Sequence, residues 1–222
     1  MGRRTVNTSL LDSYTALYQH FGKQNWWPAD TKFEVIIGAI LTQNTNWQNV
    51  EKAISNLRKK KLLRVDKLKN IKTSALAQLI RPAGYYNIKA QRLKNFIDFL
   101  YQRYQGSLKR MFQKKLSVLR DELLSVNGIG PETADSILLY AGNKPVFVVD
   151  AYTRRILSRH HLVKEDASYQ DIQDLFHSSL EKKSSLYNEY HALLVELAKN
   201  YCKKNKSCEG CPWPRKKLVR KK

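Results

Sequence analysis

Residues 123–157, LLSVNGIGPETADSILLYAGNKPVFVVDAYTRRIL, hold two sets of side chains whose types and spacing could do chemistry. The first is the turn Gly128-Ile129-Gly130, followed by Pro131, Glu132 and Thr133. Glycine admits left-handed backbone and the close approach of another molecule, and proline favours the first position of a helix. The stretch therefore reads as helix, hairpin, helix, with backbone amides able to point at a phosphate. A plain turn between two helices uses the same residue types. The second is Asp150, a lone carboxylate between VFVV and AYTRRIL, where it can accept backbone N–H bonds as a helix N-cap and suit the helix dipole.

Three further groups stand out. Trp26, Trp27 and Pro28 fall together, and Trp47 follows in TNWQ; such rings either fill a core or offer faces to a flat or cationic ligand. Gln43 and Asn44, in LTQNT, lie where an apolar helix gives way to polar residues, a place for capping or for outward contact. Cys202, Cys208 and Cys211 run C-x5-C-x2-C at the end of the chain, a spacing that suggests metal more than a secreted disulfide framework. Three sulfurs leave a ligand set one short, which His191 could complete for zinc.

These groups must be positioned by helices. Apolar residues recur at steps of three and four in LLDSYTALYQHF, VEKAISNL, AQRLKNFIDFLYQRY and EYHALLVELAKNY, and FEVIIGAIL is apolar almost all round. The expected fold class is all-α, with PVFVVD a short extended approach to a helix because no other segment offers it a sheet partner. The chain of 222 residues carries 40 Lys and Arg against 19 Asp and Glu, a net charge of +21, which points to a polyanion such as nucleic acid. Lys59, Lys60, Lys61, Lys89 and Arg92 are candidate contacts to its backbone. No apolar run approaches the ~20 residues of a membrane span, so no membrane partner is expected, and the reading is of a soluble, cytoplasmic, DNA-associated monomer.

The turn, the aspartate and the order of the other motifs together resemble one family, the helix-hairpin-helix base-excision DNA glycosylases of the endonuclease III superfamily. GAILTQNTNWQNVEKA, AGYYNIKAQRL, the hairpin, VVDAYTRRIL and the cysteine-bearing end occur in the family's order along nearly the whole chain. WWPADTKFEVIIGAILTQNT and RPAGYYNIKAQRL look most like the 3-methyladenine DNA glycosylase III group. The resemblance implies a two-lobed fold with the DNA and base site in the interdomain cleft. Residues 30–141 would form the central helical domain, with the hairpin at about 115–141. Residues 1–29 plus 142–222 would form the second lobe, including the cysteine end 202–211 and a basic tail, 212–222.

The resemblance also implies roles. Asp150 matches the catalytic aspartate, which would stabilise the positive charge that builds on the sugar as an N-glycosidic bond breaks. Glu132 stands where strand-cleaving members keep the lysine that forms a Schiff base, so base removal without efficient lyase action is expected. Gly128, Ile129, Gly130 and Thr133 would hold the DNA backbone, with Gln43 and Asn44 filling the gap left by a flipped base. Trp26, Trp27, Pro28 and Trp47 would line the pocket that receives it, an alkylated purine such as 3-methyladenine. The cysteines match a [4Fe-4S] site lacking its fourth ligand, with the first spacing one residue short of the endonuclease III pattern. The expected partner is double-stranded DNA containing a damaged base. Two other readings are an endonuclease III-type glycosylase and lyase acting on oxidised pyrimidines, and a non-catalytic helix-hairpin-helix DNA-binding protein.

Overall fold

The computed structural model of the chain describes residues 2–203 and 209–214, with side chains from Leu10 onward. Cys208 and most of the basic tail lie outside the described residues. Among those residues the architecture is entirely helical, as expected. Two compact units divide the chain: Trp27–Lys144 form one, and Met1–Trp26 with Pro145–Lys222 form the other.

The unit Trp27–Lys144 is built around α2, Lys32–Leu41. Thr31 caps this helix, its hydroxyl accepting the Glu34 N–H at 3.1 Å. Every residue from Phe33 to Leu41 is buried, as the all-round apolar sequence demands. Burying each of its isoleucines contributes on the order of 1.5–3 kcal/mol. Helices α3 (Trp47–Lys59), α4 (Val65–Asn70), α5 (Thr73–Leu79) and a short 3-10 turn, Arg81–Ala83, lead to the long α6, Tyr86–Tyr104. One face of α6 buries Ala90, Leu93, Phe96, Ile97 and Leu100. Helix α7 (Leu108–Phe112) precedes α8 (Leu116–Leu124), and α9 (Pro131–Ser136) runs on into a π-helical turn, Ile137–Ala141. The π turn adds a residue to the helical repeat and redirects the side chains that follow it.

The second unit holds α1 (Gly2–Phe21), α10 (Ala151–Arg159), α11 (Tyr169–Ser179) and α12 (Ser184–Asn200). Its core is aromatic: Phe147 stacks on Phe176 with centroids 3.6 Å apart, and Tyr187 and Tyr190 meet Phe147 edge-on. Residues 145–149 are extended without forming a strand. Side chains satisfy their backbone in place of a sheet. Gln173 Nε2 donates to the Phe147 carbonyl at 2.7 Å, His177 Nε2 accepts the Phe147 N–H at 2.9 Å, and Tyr169 OH accepts the Val149 N–H at 3.3 Å. This clamp fixes the segment that delivers Asp150.

Candidate active site and nucleic-acid interface

In the unit Trp27–Lys144 the hairpin between α8 and α9 is locked from three sides. Arg120 on α8 makes a bidentate pair with the fully buried Asp135 on α9, at 2.7 and 3.1 Å. Ile129 is buried and its N–H bonds the Val126 carbonyl at 3.0 Å, drawing the tip of the turn inward. Gln43 supplies the third tie: its Nε2 donates to the Gly128 carbonyl at 3.0 Å and to Thr133 Oγ1 at 2.9 Å, while its Oε1 accepts from Arg92 Nη1. Both ends of the Gln43 amide are thus engaged with the hairpin and α6, whereas Asn44 is exposed at φ 51°.

The two hairpin glycines differ. Gly128 has φ +93°, and an added Cβ there would lie 2.3 Å from Arg92 Cγ. Gly130 is exposed, has an ordinary φ of −90°, and an added Cβ would meet no atom within 4 Å. Glu132 lies exposed in the first turn of α9, where the helix dipole favours an acid. The nearest lysine downstream, Lys144, donates to the Lys114 carbonyl at 2.7 Å and so has a partner away from the hairpin tip.

Trp27 and Trp47 meet edge to face at 5.1 Å, and Tyr140 joins them, its centroid 5.1 Å from that of Trp27. Gly38 lets the Trp27 indole lie against α2, since a Cβ at that position would sit 3.2 Å from Trp27 Cζ2. Trp47 Nε1 donates to Glu51 Oε1 at 2.7 Å. Pro28 is exposed in this unit. Trp26 belongs to the other unit, with the Lys199 ammonium 5.5 Å over its ring. Tyr140 and Glu51 escaped the reading of the sequence; the four-residue step from Trp47 to Glu51 was the one available signal.

Lys89 corrects another expectation. It does not face a phosphate: it is 1% exposed, and its ammonium donates to the Leu41 carbonyl at 2.8 Å and the Ala83 carbonyl at 2.7 Å. Burial, with Arg92 nearby, pushes its pKa down to about 8. Lys59, Lys60 and Lys61 are exposed.

In the other unit Asp150 is the N-cap of α10. One carboxylate oxygen, Oδ1, accepts the Thr153 N–H at 2.7 Å, and the other, Oδ2, lies 3.7 Å from His191 Nε2. The Asp150 side chain keeps 15% of its surface exposed, while His191 is buried. Burial holds the imidazole below its ordinary pKa, outweighing the opposing pull of Asp150. The carboxylate thus has one oxygen fixed by backbone and the other beside an imidazole whose neutral form burial favours. His191 was considered only as a zinc ligand in the sequence; its place at Asp150 could not be read from spacing.

The cysteine end does not supply a four-thiolate ligand set. The chain has three cysteines, of which Cys208 lies outside the described residues. Cys202 is buried, its sulfur accepts from Arg159 Nη1 at 3.4 Å, and its carbonyl accepts from Arg155 Nε at 2.8 Å. His160 stacks on Trp213 at 4.6 Å. Among the described residues no group of three His, Cys, Asp or Glu could hold a metal ion.

A hairpin built to this plan, followed by a capped aspartate, fits the family model described as HhH-GPD superfamily base excision DNA repair protein, which matches residues 37–182. The chain belongs to the HhH-GPD superfamily. It is a base-excision DNA repair glycosylase of that superfamily. A superfamily relative from Methanocaldococcus jannaschii, provisionally named a DNA repair glycosylase, is 51% identical over 90% of this chain and 91% of its own length. Endonuclease III of Sulfolobus acidocaldarius is 29% identical over 81% of this chain and 78% of its own. Among solved structures, the H. pylori 3-methyladenine DNA glycosylase bound to 1,N6-ethenoadenine matches with a TM-score of 0.74 and 30% identity, over 90% of this chain and 98% of that one. A trapped endonuclease III–DNA covalent intermediate shares the HhH-GPD fold, with a TM-score of 0.80 at 20% identity over 93% of each chain. Among the described residues no helix is long and apolar enough to cross a membrane.

Proposed function

We propose that this glycosylase is monofunctional and releases alkylated purines from double-stranded DNA. The observation that carries the reading is Asp150, a carboxylate fixed through Oδ1 by the Thr153 amide and left with Oδ2 beside a buried imidazole. As the N-glycosidic bond breaks, positive charge grows on the sugar, and a preorganised carboxylate stabilises it without reorganising. A charged imidazolium next to Oδ2 would compete for that carboxylate, so the burial of His191 serves the reaction by disfavouring the cation. No step requires a lysine nucleophile, and the hairpin position that would hold one is Glu132.

The alkylated purine is supported by the ring cluster Trp27, Trp47 and Tyr140 and by the likeness to a structure holding 1,N6-ethenoadenine. An alkylated purine carries positive charge or an enlarged ring, and indole faces attract both by stacking and cation–π interaction. Gly130, exposed and open, is where a DNA phosphate can come close to backbone.

Duplexes carrying 3-methyladenine, 7-methylguanine, 1,N6-ethenoadenine, uracil or thymine glycol, each assayed with and without hot alkali, test this. The expected result is release of alkylated purines with strand breaks only after alkali. Breaks without alkali, together with a borohydride-trapped adduct on thymine glycol DNA, would replace it with an endonuclease III-type activity. Undiminished release by Asp150→Asn would remove the catalytic assignment.

A further inference from the structure

Helix α6 carries a polar edge that the chemistry above does not use. Lys89, Arg92 and Asn95 are spaced by three residues, so they line one side of the helix. Lys89 ties the carbonyl of Leu41, the last residue of α2, to that of Ala83 at the end of the 3-10 turn. Arg92 holds the Gln43 amide oxygen, and its methylenes fill the space beneath Gly128. Asn95 Nδ2 donates to the Asn127 carbonyl at 3.0 Å, on the approach to the hairpin.

Burying an ammonium is costly even when it is bonded, and an apolar side chain of similar length would fill the space without that cost. What the ammonium adds is a fixed tie between two loops. Each loop holds an exposed non-glycine residue with left-handed backbone: Asn44 at φ 51°, three residues past Leu41, and Tyr85 at φ 46°, two residues past Ala83. Conformations of this kind persist where surrounding contacts over-determine them, and they concentrate at binding sites.

We propose that Lys89 and Arg92 are positioning residues for DNA engagement: from one face of α6 they hold the Gln43–Asn44 loop in register with the Gly128–Gly130 hairpin. The proposal rests on the reading of that hairpin as the DNA grip. The bonds of Lys89 and Arg92 lie within Trp27–Lys144, whereas Asp150 belongs to the other unit, so their removal should weaken binding and leave the chemical step alone.

Lys89→Met, which removes both ammonium bonds, should raise KM about tenfold or more on a duplex with a single 1,N6-ethenoadenine, with kcat unchanged. Arg92→Met, which alters a half-buried side chain and leaves the buried tie intact, should do the same. Because both act through Gln43, each combined with Gln43→Ala should raise KM by less than the product of the single effects. Unchanged KM in both single variants overturns the proposal, as does a fall in kcat at constant KM, the mark of a smaller folded fraction. Fluorescence anisotropy with undamaged duplex reads the same positioning without base release. Loss of affinity there, with ethenoadenine left in place by the wild type, would strike the proposed substrate and leave the positioning standing.

Discussion

The two hairpin glycines should fail in opposite ways when changed to alanine. At Gly128 the backbone has φ +93°, and the new Cβ would lie 2.3 Å from Arg92 Cγ and 2.8 Å from Arg92 Cδ. Left-handed backbone costs an alanine about 1–2 kcal/mol, and displacing packed methylenes about 1–3 kcal/mol, together about 2–5 kcal/mol of stability. At Gly130 the backbone is at φ −90° and ψ 179°, open to any residue, and the Cβ would meet nothing within 4 Å. Gly130→Ala should therefore keep or raise stability by about 0.4–1 kcal/mol, because alanine restricts the unfolded chain. A methyl that clashes with nothing in the protein matters only if something else comes close. If that is a phosphate, loss of its bond to the backbone weakens affinity about tenfold or more. Because the protein's charge is unchanged, the slope of log affinity against log salt should stay close to the wild-type value while affinity falls at every salt concentration. Urea unfolding and anisotropy titrations over a range of salt read the two effects separately. Wild-type affinity in a stable Gly130→Ala protein would refute the phosphate contact at this hairpin.

Four more outcomes follow from the geometry. Under the proposed reading, Glu132→Lys should introduce a borohydride-trappable adduct with lesion DNA, absent from the wild type, because a hairpin amine there could attack the sugar carbon and form a Schiff base. Arg120→Met should cost about 3 kcal/mol in urea unfolding, since Asp135 is fully buried and loses its bidentate guanidinium, and adding Asp135→Leu should recover part of it. His191→Gln, which can keep a donor near Asp150, should retain more kcat than His191→Phe, and equal losses would mean that the Thr153 amide alone orients the carboxylate. His160 is pushed down to about 4 by burial and by His161, and His191 is lowered as well. Between the ordinary value of 6.5 and the folded one the unfolded chain binds the extra proton, so stability falls as pH drops from 6.5 toward 4. Melting temperatures across that range should fall less for His160→Phe, which can keep a ring on Trp213.

The helices and the hairpin were legible because their signals are local. Apolar periodicity marked α2 and α6, and the order glycine, glycine, proline marked the turn into α9. The Asp150 cap was legible for the same reason, since its Thr153 partner is three residues away. Contacts between distant segments were not. Lys89 reads as one more surface cation in a chain with 40 basic residues, and only the fold reveals that two carbonyls 48 and 6 residues away enclose it. His191 is 41 positions from Asp150 in numbering, and no spacing rule joins them. Trp26 and Trp27, adjacent in sequence, belong to different units, a boundary that no local signal marks. Tyr140 was missed because it lies in the π turn, where helical spacing no longer predicts direction.

The unit boundary also divides the chemistry along the chain. The hairpin, Gln43, Lys89 and Arg92 all lie in Trp27–Lys144, whereas Asp150, Thr153 and His191 lie in the unit formed by Met1–Trp26 and Pro145–Lys222. Residues 145–149 link Lys144 to Asp150, and Gln173, His177 and Tyr169 bond that link from within its own unit. The Thr153 amide and the His191 ring that flank the carboxylate both belong to its own unit. A hairpin change should then appear in affinity and an Asp150 change in the chemical step, each leaving the other nearly intact. Under the proposed monofunctional reading, Glu132 in the first turn of α9 stands apart in sequence from Thr153 and His191, the groups that flank the Asp150 carboxylate within its own unit.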